Sequence, residues 1–129
     1  MVIDSSAILA ILLDEPERRA FNKMIEADPV RLLSAANFVE ASVVIEARLG
    51  ENAGREFDLF VHRAALEIVP VDADQAEIAR RAYRHFGKGR HRAGLNFGDC
   101  FAYALAKTRG EPLLFKDADL AATDVTACG

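Results

Sequence analysis

The sequence predicts an α/β fold, a three-layer α/β/α sandwich with a mainly parallel central sheet. Short apolar segments alternate along the chain with longer segments in which apolar residues recur every three or four positions. This alternation is typical of parallel sheets, whose strands are covered by helices on both faces. The 129 residues fit a single domain, residues 1–129, with a core of its own.

The first half of the chain contains two strand candidates, each followed by a pair of helices. We predict a strand at Val2–Ile3, helices at Ala7–Leu13 and Glu17–Ala27, a strand at Arg31–Ser34, and helices at Ala35–Leu49 and Glu51–Leu66. Pro16 suits the start of the second helix, because its missing N–H is not needed there. Gly50 suits the end of the long helix, where a left-handed residue is common.

The second half repeats the alternation. We predict a strand at Glu67–Val71, a helix from its cap Asp72 to Phe86, a basic loop at Gly87–Gly94, a helix from the cap Asn96 to about Arg109, a strand at Pro112–Phe115, a turn at Lys116–Asp119 and an edge strand at Val125–Cys128.

Composition excludes several classes of protein. Hydrophobic residues make up 51% of the chain, which excludes a disordered protein. The two cysteines, Cys100 and Cys128, lack the spacing of a metal site or a disulfide framework. There is neither a basic leader nor an apolar run long enough to span a membrane, so we expect a protein of the reducing cytoplasm.

Carboxylates follow three of the predicted strands. Asp4 comes directly after the first strand, Glu40 lies on the second turn of the helix after the second, and Asp117 and Asp119 follow the strand at Pro112–Phe115. Ligands of α/β sheets bind outside the carboxyl ends of the strands, so these side chains could converge. Taken singly, each has an ordinary role: Asp4 as a helix cap, Glu40 on a solvated edge, and the other two in a turn.

Asp99 is the fifth acidic position. Counting by three and four places it with Leu95, Ala102 and Tyr103 on the apolar face of its helix. An ionised carboxylate there needs a cation or hydrogen bonds, and a capping box with Asn96 is the simpler explanation. Together, however, a group of carboxylates without accompanying Cys or His favours Mg²⁺ or Mn²⁺, because like charges at one place repel unless a cation holds them.

A basic segment indicates the charge of the substrate. No Asp or Glu occurs from Ile78 to Gly98, and the segment holds Arg80, Arg81, His85 and His91 together with the candidate substrate-binding residues Arg84, Lys88, Arg90 and Arg92. Such a stripe beside an acidic metal site would attract and position a phosphodiester backbone. The alternative is a solvated helix and loop without a ligand.

Four segments occur in an order that is highly specific. They are Val2–Ala7, Asn37–Ser42, Leu95–Cys100, and Leu113–Leu120 followed by Thr123-Asp124. This ordered set resembles the PIN-domain ribonucleases, most closely the VapC toxin branch of toxin–antitoxin pairs. The resemblance implies an α/β/α sandwich whose acidic pocket binds Mg²⁺ or Mn²⁺ and cuts single-stranded RNA, leaving a 5′-phosphate and a 3′-hydroxyl.

The resemblance also implies roles for the acids. Asp4, Glu40 and Asp99 match the three core acids of the family. Asp4 and Asp99 would hold the metal, and Glu40 would ligate it or orient the attacking water. Asp117 and Asp119 are both candidates for the fourth acid, because the turn here reads Lys-Asp-Ala-Asp-Leu where the branch often has Lys-Gly-Asn-Asp-Phe. Asp119 matches the acid nearer the hydrophobic residue, and Asp117 is preferred because it matches the position that is acidic in other PIN domains.

One further site residue and the partners follow from the same resemblance. Ser6 matches a small hydroxyl residue that orients the first Asp and the substrate phosphate. A cognate antitoxin resembling VapB is expected to cover the acidic pocket with its extended C-terminal segment, placing a basic side chain among the carboxylates. A homodimer through the helices at Glu17–Ala27 and Ala35–Leu49 is typical of the family.

Two other classes of function stay open. A PIN module that binds RNA or protein without catalysis would keep the fold, although retention of the acidic positions disfavours it. A small metal-dependent phosphatase with an aspartyl nucleophile would need Asp-x-Asp or Asp-x-Thr near the first strand, and Asp4-Ser5-Ser6 supplies neither.

Overall fold

The computed structural model of the chain describes residues 1–116 and 118–129. Its elements run in the order β1 (Val2–Ile3), α1 (Ser5–Leu12), α2 (Arg18–Ala27), β2 (Leu32–Ser34), α3 (Ala35–Leu49), α4 (Glu51–Arg63), β3 (Glu67–Val69), α5 (Ala73–Phe86), α6 (Phe97–Arg109), β4 (Leu113–Leu114) and α7 (Ala118–Ala121). The alternation of strands and helices is therefore the predicted one.

The four strands form one parallel sheet in the order β3-β2-β1-β4. Val2 in β1 lies opposite Leu32 on one side and Leu113 on the other. The chain builds outward from β1 to β3 and then crosses back to place β4 on the opposite side of β1. The order of the strands reverses at β1, and ligands of open α/β sheets bind outside the carboxyl ends of the strands at such a point.

Adjacent residues of β1, β2 and β4 face opposite helical layers, as the period of two requires. Ile3, Leu33 and Leu114 pack in a core with α1, α2, α3 and α4. Their neighbours Val2, Leu32 and Leu113 pack on the other face against α5 and α6. The predicted three-layer sandwich is confirmed: β1, β2 and β4 are buried on both faces, whereas Glu67 and Ile68 of the edge strand β3 are exposed.

Helix boundaries differ from the predicted ones by more than one residue at two places, and one short helix was not predicted. Helix α1 begins at Ser5, two residues early, because the Asp4 side chain caps it directly. Helix α4 ends at Arg63 and not at Leu66, because Ala65 turns the chain through a left-handed conformation with φ of 52°. Part of the segment predicted as a turn, Lys116–Asp119, belongs to the short helix α7.

The C-terminal segment extends the sheet by one bridge. Leu113 N donates to Thr126 O at 2.8 Å and Cys128 N donates to Leu113 O at 3.0 Å, which places Ala127 parallel to β4. The predicted edge strand is thus reduced to a single pairing. No helix in the described part of the chain is both long and apolar enough to span a membrane.

Candidate active site

A cleft of about 370 Å³ opens at the carboxyl-terminal edge of β1. Helix α1, helix α3, the start of α6 and the segment after β4 contribute to its walls. The lining residues include Ser5, Ser6, Glu40, Asn96, Asp99 and Lys116. The predicted core acids Glu40 and Asp99 therefore share one cavity. Asp4 caps the helix that carries Ser5 and Ser6, and it is buried, with 1% of its surface exposed.

The two carboxylate oxygens of Asp4 differ in their hydrogen bonding within the described part of the chain. Ser6 N donates to its Oδ2 at 3.0 Å, whereas its buried Oδ1 has no hydrogen-bond partner among the residues described. Burial raises the pKa of Asp4 to about 7; the negative charges of Asp99 and Glu40 add to this, and the bond from Ser6 opposes it. A cation beside Oδ1 would relieve both the missing partner and the repulsion.

Asp99 occupies the third position of α6 and completes a capping box. Its backbone N donates to Asn96 Oδ1 at 2.9 Å, and Asn96 N donates to Asp99 Oδ2 at 3.0 Å. The ordinary explanation considered for this residue is thus correct, yet Asp99 also lines the cleft and is only 4% exposed. Capping fixes the carboxylate at the N-terminus of α6, where its negative charge raises the pKa of Asp4.

Glu40 is held by two side chains that sequence reasoning did not single out. Its Oε1 accepts a hydrogen bond from Ser5 Oγ and another from Asn37 Nδ2 at 3.2 Å. Asn37 is fully buried and also donates to Gly98 O at 3.0 Å, which ties α3 to the start of α6. The spacing of three between Asn37 and Glu40 on one helix face was the available signal.

Gly98 is required by this contact. A Cβ built at that position would overlap the Glu40 carboxylate, so a larger residue fits only if the Glu40 side chain or one of the two helices moves. The glycine in the Asn-Phe-Gly-Asp segment therefore lets α6 approach Glu40 closely, and its role is packing and not turn formation.

The donor chemistry fits a hard divalent cation, although the described residues alone do not form a complete set of ligands. Within residues 1–116 and 118–129, no group of three or more His, Cys, Asp or Glu side chains is arranged to hold a metal ion. Glu40 is turned toward Ser5 and Asn37, and one oxygen of Asp99 is used in the capping box. The available oxygen donors, above all Asp4 Oδ1, suit Mg²⁺ or Mn²⁺ better than zinc.

The remaining predicted site residues are distributed differently. Ser6 Oγ accepts a hydrogen bond from Lys116 N at 3.0 Å, so Ser6 joins the end of β4 to Asp4. Asp119 is half-buried in the first turn of α7 and is not among the residues that line the cleft. The prediction for Asp117 falls on the one position outside the described residues.

The predicted basic residues do not line the cleft. Arg84 lies in the last turn of α5, and Lys88, Arg90 and Arg92 lie in the loop that follows; all four are exposed.

Two cations that sequence reasoning passed over line the cleft instead. Lys116 forms ion pairs with Glu15 and with Glu17, the latter at 3.5 Å, and these two carboxylates raise the pKa of its ammonium. Arg48 lies two turns after Glu40 on α3, and that spacing of eight was the signal for it.

Comparisons with known proteins agree with this architecture. The PIN-domain profile matches residues 1–125. Ribonuclease VapC30 of Mycobacterium tuberculosis is 59% identical over 125 residues, covering 97% of this chain and 95% of that protein. Ribonuclease VapC of Mycolicibacterium smegmatis is 58% identical over 127 residues, covering 98% of each chain.

Solved structures show the same fold at much lower identity. The sarcin–ricin loop cleaving toxin VapC20 of Mycobacterium tuberculosis superposes with a TM-score of 0.79 at 17% identity, covering 97% of this chain and 95% of that one. FitAcB of Neisseria gonorrhoeae gives 0.69 at 19% identity, covering 99% and 96%. The parallel sheet, the acidic cleft and the end-to-end similarity lead to one assignment: the chain belongs to the PIN-domain family, among the VapC ribonucleases.

Proposed function

We propose that this VapC ribonuclease is the toxin of a toxin–antitoxin pair, and that it cuts single-stranded regions of RNA with Mg²⁺ or Mn²⁺ held by Asp4 and Asp99. The observation that carries the proposal is the buried carboxylate of Asp4. One of its oxygens has no partner among the described residues, and the charges of Asp99 and Glu40 act on it. A divalent cation is the ligand that stabilises such an arrangement.

The chain's own groups then have separate tasks. Ser6 N–H fixes the second oxygen of Asp4, and the capping box fixes Asp99. When bound, the ion polarises a phosphoryl oxygen and lowers the pKa of a water. Glu40 orients the attacking water and accepts its proton, held in place by Ser5 and Asn37.

Displacement of the 3′-oxygen in line leaves a 5′-phosphate and a 3′-hydroxyl. Asp117 or Asp119 would assist the ion directly or through water, and Ser6 would help to orient the substrate phosphate. The exposed cations Arg84, Lys88, Arg90 and Arg92 would attract RNA toward the site at longer range. RNA as substrate and two free cysteines agree with a cytoplasmic protein.

The partner proposed for this toxin is an antitoxin resembling VapB. One chain from a toxin–antitoxin complex of Klebsiella pneumoniae and one from VapBC2 of Rickettsia felis have the same fold as this chain. The excess of carboxylates around the cleft would accept a basic side chain from the C-terminal segment of the antitoxin.

A homodimer through α2 and α3 is proposed as well. The apolar residues Phe21 and Ile25 of α2 are buried within this chain, whereas Val39 and Val43 on α3 are 58% and 62% exposed. The surface of α3 is thus the part that supports self-association. Light scattering coupled to size exclusion tests it, and a monomer at all concentrations would contradict it.

The deciding experiment is cleavage of end-labelled total RNA by the antitoxin-free protein with EDTA, Mg²⁺ or Mn²⁺. Discrete fragments are expected only with a metal. Asp4→Ala should reduce the rate by on the order of 1,000-fold, because one of the two acids proposed to hold the ion is lost. Asp58→Ala, which removes an exposed carboxylate on α4, is the matched control and should cleave normally.

The outcomes separate the candidate functions. Cleavage that persists in EDTA, or in Asp4→Ala, would contradict the metal-dependent mechanism. RNA binding without cleavage under every metal condition would favour the non-catalytic binding module.

A further inference from the structure

The charges around the cleft pose a problem for an extended RNA strand. Glu15, Glu40 and Asp99 line it and Asp4 lies beside it. The scissile phosphate would be neutralised by the proposed metal ion. The neighbouring phosphates of the same strand would still face carboxylates, so a further cation has to lie along the path of the strand.

Lys116 is poorly placed to serve as that cation. Its ammonium is engaged by Glu15 and lies 3.5 Å from Glu17. A phosphate that bound Lys116 would have to displace these carboxylates or accept their repulsion. The contact also joins the segment after β4 to the segment between α1 and α2, which gives Lys116 a structural role.

Arg48 has no such competitor. It is exposed, it lines the same cleft, and it forms no ion pair with any of the residues described. Glu40, Val44 and Arg48 line the cleft at intervals of four along α3. At a rise of about 1.5 Å per residue, Arg48 lies about 12 Å along the helix axis from Glu40.

We propose that Arg48 binds a phosphate of the RNA backbone next to, but distinct from, the scissile phosphate, so that the strand runs along α3 from Glu40 toward its C-terminal end. A guanidinium suits this task because it binds phosphate through two parallel hydrogen bonds. The inference rests on the proposed RNA substrate and adds the direction of the strand. It also separates Arg48, which contacts RNA within the cleft, from the exposed cations of the 88–92 loop, which lie outside it.

The test compares Arg48→Gln with Arg48→Lys and with Arg55→Gln, a matched control that removes an exposed arginine of α4. On a fluorescein-labelled single-stranded RNA, Arg48→Gln should raise KM about tenfold. Its kcat should stay within about twofold, because the contact is the same in the ground and transition states. Arg48→Lys should recover part of the loss, since the charge remains without the bidentate geometry.

A binding measurement in an inactive background isolates this contact from catalysis. With Asp99→Asn present in every protein, fluorescence anisotropy over a series of salt concentrations gives the dependence of affinity on salt. The logarithmic slope should fall by about 0.7 when Arg48 is replaced, as expected for one lost phosphate contact on a single strand. Arg55→Gln should leave the slope unchanged.

The results distinguish this inference from the proposed function. If the wild type cleaves RNA and Arg48→Gln matches it in KM and in salt slope, the strand does not run along α3 and the inference is overturned. The same conclusion follows if Arg90→Gln changes both quantities and Arg48→Gln changes neither. If the wild type fails to cleave with any metal, the proposed function fails, but the salt slope still decides the role of Arg48.

Discussion

The β1–α1 and β2–α3 junctions have the same local geometry but different chemistry. Asp4 directly follows the buried parallel strand β1, and Ser34 is the last residue of the buried parallel strand β2. Each has extended backbone, and each caps the next helix. Asp4 Oδ2 accepts a hydrogen bond from Ser6 N at 3.0 Å, and Ser34 Oγ accepts one from Ala36 N at 3.3 Å. Both side chains are buried, at 1% and 0% exposure.

The difference is the charge and the second oxygen. A serine hydroxyl satisfies the helix end without any charge to desolvate. The carboxylate at the other junction has its pKa raised to about 7 and keeps one oxygen without a partner among the described residues. Capping therefore does not explain why a carboxylate occupies position 4, and its burial is unfavourable unless a ligand compensates it. At the β2–α3 junction the acid of the site is not the cap but Glu40, which lies in the second turn of α3.

The largest expected effect on stability comes from removing the charge of Asp4 by Asp4→Asn. In EDTA, the folded wild type keeps a proton on Asp4 up to about pH 7, whereas the unfolded chain loses it near its ordinary value of 3.8. The folded state thus binds more protons between these two values, and its stability falls as pH rises through this window. Asp4→Asn should remove that fall and gain up to about 4 kcal/mol above pH 7.

Urea unfolding at several pH values measures this effect. Below pH 3.8 the two proteins should converge, and Mg²⁺ should stabilise the wild type more than the variant. Equal stability of the wild type and Asp4→Asn at every pH would mean that the junctions at Asp4 and Ser34 are electrostatically alike.

A smaller effect on stability is expected from Gly98→Ala, which tests whether the contact with α6 positions Glu40. The added methyl group would overlap the carboxylate, so α6 or Glu40 must move, at a cost of about 1–3 kcal/mol. Cleavage should fall on the order of 100-fold, because the group that orients the water is displaced. Thermal unfolding and initial rates measure the two effects.

Gly54→Ala is the matched control, since it is the same substitution in a helix. Its Cβ would lie 3.2 Å from the flexible Glu46 side chain, which can move aside. Stability should rise by up to about 1 kcal/mol from helix propensity, and cleavage should not change. Full activity of Gly98→Ala would show that Glu40 is not positioned by its contact with α6.

The smallest effect should come from Ser34→Ala, which removes the neutral cap. Loss of one capping hydrogen bond should lower stability by about 1 kcal/mol. Cleavage should stay close to that of the wild type, since Ser34 Oγ accepts a hydrogen bond from Ala36 N and has none, among the described residues, with an acid of the site. The stability change should not depend on pH. A loss of activity as large as that of Asp4→Ala would place both junctions in the active site.

Much of the fold could be predicted from the sequence because the signals are local. Hydrophobic periodicity fixed the order of the elements, and the caps Asp72 and Asn96 were readable from residue type. The parallel sheet brings the positions after its strands to one edge, so the neighbourhood of Asp4 and Glu40 followed as well. For Asp99, the capping-box explanation and the active-site explanation both apply, because the residue caps its helix and also lines the cleft.

Residue type and spacing alone were thus enough to predict the layers of this protein and the proximity of Asp4, Glu40 and Asp99 at the end of the sheet. The contacts that hold Glu40 depend on the tertiary structure, because they join residues that are far apart in the chain. Ser5 lies 35 residues from Glu40, and Asn37 lies 61 residues from Gly98. Tertiary structure also places Arg48 and Lys116 in the lining of the cleft, whereas the cations of the predicted basic loop do not line it. The physical reason is that residue type and spacing specify a helix face, whereas the contacts of that face depend on how separate helices pack.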